Sequence, residues 1–133
     1  MTHDLTLRVV PQRLEVLPGR FVVARRADVA DDADLLARID APGDPTVVVR
    51  VGEEHPEPWV AVSSRGSAHG LDAPGMTASL LVPLALARIG VFVTSTFDAD
   101  LVLVPLADLD AALDALSAAG HVVPRNLDSS GRS

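Results

Sequence analysis

The chain contains no cysteine, no tyrosine and no lysine, and its aromatic side chains are limited to Phe21, Phe92, Phe97 and Trp59. Without cysteine there is no disulfide, thiolate nucleophile or cysteine-ligated metal. Every basic residue is arginine, which excludes a lysine Schiff base, a P-loop lysine and a lysine general base. Positive charge is scarce: the formal net charge is −7. That balance argues against nucleic acid as a partner, since binding to it needs clustered Lys and Arg to displace counterions from phosphates. Long apolar runs are also missing. The most apolar stretch, Met76 to Val93, is interrupted by Pro83, Arg88 and Gly90 and does not suit a membrane span. Met1-Thr2-His3-Asp4 has neither the basic nor the apolar region of a secretory signal, so a cytoplasmic location is expected by default.

With 48% apolar residues in 133, the chain has the composition of a globular protein of one compact body or two small fused modules. Its core must be aliphatic. Leu5 to Val9 alternates apolar and polar residues like a half-buried strand ended by Pro11. Leu14 to Leu17 and Phe21 to Ala24 are strand-like around Pro18-Gly19, a pair that predicts a hairpin turn. Between Ala30 and Asp40, Leu35, Leu36 and Ile39 sit at helical offsets behind Asp31, Asp32 and Asp34, which predicts a short helix with an acidic start. The acids lack the calcium-hand pattern. Thr46 to Val51 is a β-branched run of the kind buried in a sheet.

The polar stretch Gly52 to Pro58 is the expected boundary between two halves. His55 within it has no second histidine at metal-ligand spacing, so no metal is expected. Trp59 to Ser64 restarts a strand. Ser67 and His69 follow in a Gly-containing loop that lacks the Gly-x-Ser-x-Gly spacing of a nucleophile elbow. An apolar helix then begins near Pro74, with Asp72 as a candidate cap, and runs to Ile89 with Gly90 ending it. Its narrow polar face predicts cover on two sides. Pro83 removes a backbone donor and frees the carbonyl of Ser79, which predicts a kink or an early loosening there. Val91 to Thr96 and Leu101 to Val104 form a predicted hairpin, and a helix from Asp108 as N-cap to Gly120 precedes a final strand at His121-Val122-Val123. Arg125 to Ser133 reads as a frayed tail.

From Trp59 the predicted order is strand, helix, strand, strand, helix, strand, the split βαβ arrangement of ferredoxin-like α+β folds. The expected organisation is a degenerate first half at 1–58, a complete unit at 59–124 and a tail at 125–133, with antiparallel sheets and helices on one face. Within the second unit, free N–H groups at the helix start suit an anion. The nearby turn offers Asp98 and Asp100 to a cation. A zwitterion needs both. Each feature has an ordinary explanation as well, since Asp bonds its own backbone in tight turns and Thr94, Ser95 and Thr96 have strand propensity. By alternation, Thr94 and Thr96 share one face and Ser95 the other.

Gly75-Met76-Thr77-Ala78-Ser79-Leu80-Leu81-Val82-Pro83, Gly90-Val91-Phe92-Val93-Thr94-Ser95-Thr96-Phe97-Asp98-Ala99-Asp100 and Ala119-Gly120-His121 together resemble the small tandem ACT-domain proteins. These are related to the paired ACT modules of aspartate kinases and to the CASTOR amino-acid sensors. The resemblance covers Thr46 to Val123. It implies βαββαβ modules paired side by side, a homodimer, amino-acid binding at module interfaces, and an allosteric, regulatory role without catalysis, acting on a protein partner. Carried over by position, the implied ligand contacts are Gly75, Met76 and Thr77 with Thr96, Phe97, Asp98 and Asp100. No cofactor, catalytic residue, nucleic acid or membrane is implied. The competing expectation is a structural or protein-interaction module whose ligand site is vestigial.

Overall fold

The computed structural model describes residues 8–65 and 74–124. Seven strands form one antiparallel sheet: β1 (Glu15–Val16), β2 (Arg20–Arg25), β3 (Leu35–Ile39), β4 (Thr46–Val51), β5 (Trp59–Ser63), β6 (Phe92–Ser95) and β7 (Asp100–Pro105). Across the sheet the order is β3-β4-β2-β5-β7-β6, and β1 also pairs with β5. The helices are α1 (Met76–Leu86) and α2 (Leu109–Ala118). The α+β class and the β5-α1-β6-β7-α2 order agree with the ferredoxin-like expectation.

Alternation along the central strands divides the interior in two. Val60 and Val62 of β5 and Val102 and Val104 of β7 face the helices, where they meet Leu80, Leu84, Leu109, Ala112, Leu113 and Leu116. Burying each such leucine contributes roughly 2 kcal/mol. This packing stabilises helices of only 11 and 10 residues, which are too short to persist alone. Ala61, Leu101 and Leu103 point the other way, to Phe21 and Val48. The Arg50 guanidinium lies 4.9 Å from the Phe21 ring centroid and donates from Nε to Asp34 at 3.0 Å. The Thr46 to Val51 expectation holds: β4 lies between β3 and β2, with Val47, Val48 and Val49 buried.

Several expectations are corrected. The segment predicted as a helix over Ala30 to Asp40 forms β3, paired along β4 from Leu35 opposite Val49 to Ile39 opposite Thr46. A helix there would be too short to be stable alone, whereas β4 supplies backbone partners from Leu35 to Ile39, interrupted by one register shift between Leu35 and Ala37. Pro18-Gly19 does not turn a hairpin, because β1 and β2 both run along β5. From Val16 to Phe21 the chain takes five steps against three on β5, from Val62 to Trp59. Pro18 and Gly19 lie within the resulting bulge. The expected first half thus contains strands and one short 3-10 turn, Arg26–Asp28, with no α-helix among the described residues before Trp59.

Helix α1 stops at Leu86, before Ile89. Arg88 takes a left-handed conformation, φ 63°. The Arg88 N–H donates to Ala85 O and the Ile89 N–H to Leu84 O, each at 3.0 Å, the paired bonds of a Schellman ending. Nor is α1 covered on two sides: Leu86 is 81% exposed and Val82 37%. Helix α2 ends in the same motif with Gly120 at the left-handed position, φ 110°, and His121 N–H donating to Leu116 O at 3.1 Å. Asp108 occupies the N-cap position of α2 without a side-chain cap bond, since the 3-10 turn Leu106–Asp108 runs directly into the helix.

The final strand reduces to one parallel bridge between Val122 and Arg13. In a ferredoxin-like sheet the last strand lies beside the first; here β1 and β2 flank β5 instead. Of the strand expected over Leu5 to Val9, only Arg8 and Val9 are described, and neither is in a strand. Asp72, Ser67, His69 and the tail from Arg125 lie outside the described residues.

Candidate functional site

Asp100 opens β7 and is 6% exposed. Thr77 in the first turn of α1 donates from Oγ1 to Asp100 Oδ2 at 2.9 Å, and Ser95 at the end of β6 donates to Oδ1 at 2.7 Å. The backbone is fixed as well. Asp100 N–H donates to Ser64 Oγ at 2.9 Å, and Ser64 N–H donates to Asp100 O at 3.1 Å. Four segments therefore meet at one residue: the starts of β7 and α1 and the end of β6 at its carboxyl group, and the end of β5 at its backbone. Both described donors to that carboxyl are neutral hydroxyls, which leaves acceptor capacity for a cationic group.

Strand register explains this convergence. Ser95 and Asp100 are direct cross-strand partners on β6 and β7. Ser63 is opposite Leu101 on β5 and β7, so Ser64 follows as the neighbour of Asp100. Helix α1 is preceded by Gly75 at its N-cap position, whose φ of 82° is the left-handed conformation that glycine adopts readily. A Cβ built on Gly75 would meet nothing within 4 Å; the backbone conformation, and no close approach to other protein atoms, accounts for glycine there. The backbone carbonyl of Gly75 accepts from Ser79 N–H at 3.0 Å.

The other expected contacts are distributed unevenly around Asp100. Thr96 organises its own turn, receiving N–H bonds from Asp98 at 3.2 Å and Ala99 at 3.1 Å on Oγ1. Thr96 N–H closes the turn on Ala99 O at 2.7 Å. Phe97 is 77% exposed at its tip and Asp98 is exposed. Met76 is buried, with its carbonyl bonded by Gln12 Nε2 at 2.9 Å. Asp100 and Thr77 are thus joined directly, whereas Asp98 belongs to the turn. Among the described residues no three His, Asp or Glu side chains are grouped to hold a metal ion.

Two groups of residues escaped sequence reasoning. Ser64 read only as strand, and its role follows from a pairing that spans 36 residues. Gln12 carried no motif, and His121 was only the last residue of a stretch that carries the resemblance, with no role attached; both are buried and hydrogen-bond to α1. The freed Ser79 carbonyl was the one sequence signal that a donor had to come from elsewhere.

The geometry defines an α+β sheet domain with a buried carboxyl at the junction of a helix start and a strand turn. Residues 54–118 match the family model of the ACT domain, so this part of the chain is similar to a domain type that binds small molecules in regulation. Atu0741 of Agobacterium tumefaciens is 29% identical, with a TM-score of 0.68, over 87% of this chain and 94% of that one. VC0802 of Vibrio cholerae, described as a protein of unknown function and possible transport protein, shares the fold at 22% identity and a TM-score of 0.67. That match covers 84% of this chain and 88% of that one. No curated protein matches the chain. No described helix is long and apolar enough to cross a membrane.

Proposed function

We propose that the protein is a non-catalytic regulatory module that binds an amino acid at Asp100. The observation that carries this reading is the Asp100 carboxyl, buried and bonded by Thr77 and Ser95, at the N-terminal end of α1. An α-ammonium would pair with Asp100, and an α-carboxylate would be drawn to the free N–H groups of the helix start. The ACT-domain match supports small-molecule binding. Amino-acid specificity, a homodimer and a regulated protein partner are parts of the proposal.

The tandem reading belongs to the same proposal. Strands β2, β4 and β3 are arranged as first, third and second members of one unit, and β5, β7 and β6 repeat that order across the β2–β5 junction. We read the first half, 1–58, as a degenerate module in which the 3-10 turn Arg26–Asp28 follows β2 where α1 follows β5. A cytoplasmic location, expected by default, is likewise part of the proposal.

The test is a thermal-shift screen of the twenty amino acids on the native protein and Asp100→Ala. A ligand at about a hundred times its dissociation constant adds roughly 2.7 kcal/mol, a shift of several degrees at this length. The expected result is a stabilising amino acid whose effect disappears in the variant. No shift at millimolar concentration would overturn the proposal and favour the protein-interaction module; an equal shift in both proteins would overturn Asp100 as the binding residue.

A further inference from the structure

Behind the first turn of α1 lies a buried polar cluster built from three distant parts of the chain. Gln12 is 2% exposed, His121 4% and Ser79 0%. Gln12 Nε2 donates to Met76 O at 2.9 Å and to Val10 O at 3.4 Å. Two carbonyl acceptors dictate the amide orientation, because the flipped amide would set oxygen against oxygen. Gln12 N–H donates to His121 Nδ1 at 3.1 Å, and His121 Nε2 lies 2.7 Å from Ser79 O. A carbonyl only accepts and an amide N–H only donates, so the ring is in its Nε2–H tautomer. Val10 N–H donates to Ser79 Oγ at 2.8 Å. The chain segments themselves are joined by Val122 N–H to Gln12 O at 3.0 Å and Leu14 N–H to Val122 O at 2.8 Å.

We infer that Gln12 and His121 are positioning residues for the first turn of α1, holding Met76 and Thr77 against Asp100 and linking that site to the chain segments at 12–14 and 121–122. Gln12 Oε1 is buried without a partner among the described residues. An orphaned acceptor is unfavourable for stability, and this glutamine keeps one while committing its donors to Met76 and Val10. The arrangement connects Thr77 to Gln12 through Met76, and Gln12 to His121 through one hydrogen bond. By linkage, whatever orders the helix start also orders those two segments, and their disturbance weakens the site to the same degree. The ligand-binding consequence rests on the amino-acid reading; the positioning of the turn does not.

The test compares amide hydrogen exchange in the native protein, Gln12→Met, His121→Asn and His121→Asn/Pro83→Ala. The added N–H at position 83 supplies Ser79 O with a helical donor and separates that carbonyl's satisfaction from the link to His121. Ser79 and Leu80 amides are expected to exchange roughly tenfold faster or more in both single variants, relative to the Leu103 amide of β7. In the double variant, part of the lost stability returns while the 121–122 segment remains less protected. Equal acceleration at Leu103, no acceleration, or full recovery of that segment would overturn the inference. The twenty amino acids are titrated into the same proteins. One that binds the native chain is expected to bind both single variants several-fold more weakly, and equal affinity would overturn the coupling. If none binds the native chain, the amino-acid reading fails and the exchange pattern alone decides the positioning.

Discussion

His121 supplies the hydrogen bond that Pro83 withholds. In a regular helix the carbonyl of Ser79 accepts from the N–H four residues later; that residue is Pro83, which has none. His121 Nε2 reaches the same carbonyl oxygen at 2.7 Å. The Schellman turn after α2 places it there, with Gly120 in the left-handed conformation and His121 N–H bonded to Leu116 O. The end of one helix thus compensates for an interruption in the other.

That relationship is measurable as a coupling energy. His121→Asn is expected to destabilise the protein by about 1–3 kcal/mol, because it leaves a buried carbonyl without a donor. Part of the loss should return when Pro83→Ala adds the missing N–H. A double-mutant cycle from urea unfolding is expected to give an interaction of about 1 kcal/mol. Strict additivity would mean that the two side chains act independently.

Arg88 is the only described non-glycine residue with positive φ. That conformation is unfavourable by roughly 1–2 kcal/mol for a residue bearing a Cβ, partly offset by the greater chain entropy of glycine. Arg88→Gly is therefore expected to stabilise the fold by about 0.5–1 kcal/mol, read as a higher urea midpoint at unchanged slope.

The two faces of α1 should respond differently to substitution. Leu84 is 1% exposed among β-sheet and α2 side chains, and Leu84→Ala is expected to lose about 2–5 kcal/mol. Leu86 is 81% exposed, and Leu86→Gln should change stability by no more than about 0.5 kcal/mol. A large effect at Leu86 in a concentration-dependent unfolding experiment would reveal that this face is covered in an assembly.

Asp100→Asn separates ligand recognition from folding. The amide retains the carboxyl's shape and can still accept one of the hydroxyl bonds from Thr77 and Ser95. Apo stability is expected to change by about 1 kcal/mol or less, since only a modest net hydrogen-bond term is altered. Amino-acid-dependent stabilisation should disappear. A variant that keeps the ligand shift would remove Asp100 from the ammonium site.

Local chemistry made much of the fold legible. The β-branched run Thr46 to Val51, the strand at Trp59, the hairpin closing at Phe97-Asp98 and the α2 ending at Gly120 all carry their signals within a few residues. So did the vacancy at Ser79 O, because proline always removes the donor at its own position. Tertiary structure alone decided β3, since Leu35, Leu36 and Ile39 fit a helix turn or a strand until β4 supplies backbone partners. It also made Pro18-Gly19 a bulge by keeping both flanking strands on β5. The candidate site divides in the same way. Asp100 and Thr77 were recognisable as residue types at a turn and a helix start, but their contact, and the choice of Ser64, Ser95 and His121 as donors or acceptors, depends on strand register and helix packing across up to 109 residues of chain. Propensity acts on neighbours in sequence, whereas a buried polar group must be satisfied by whichever partner the completed fold brings within hydrogen-bond distance.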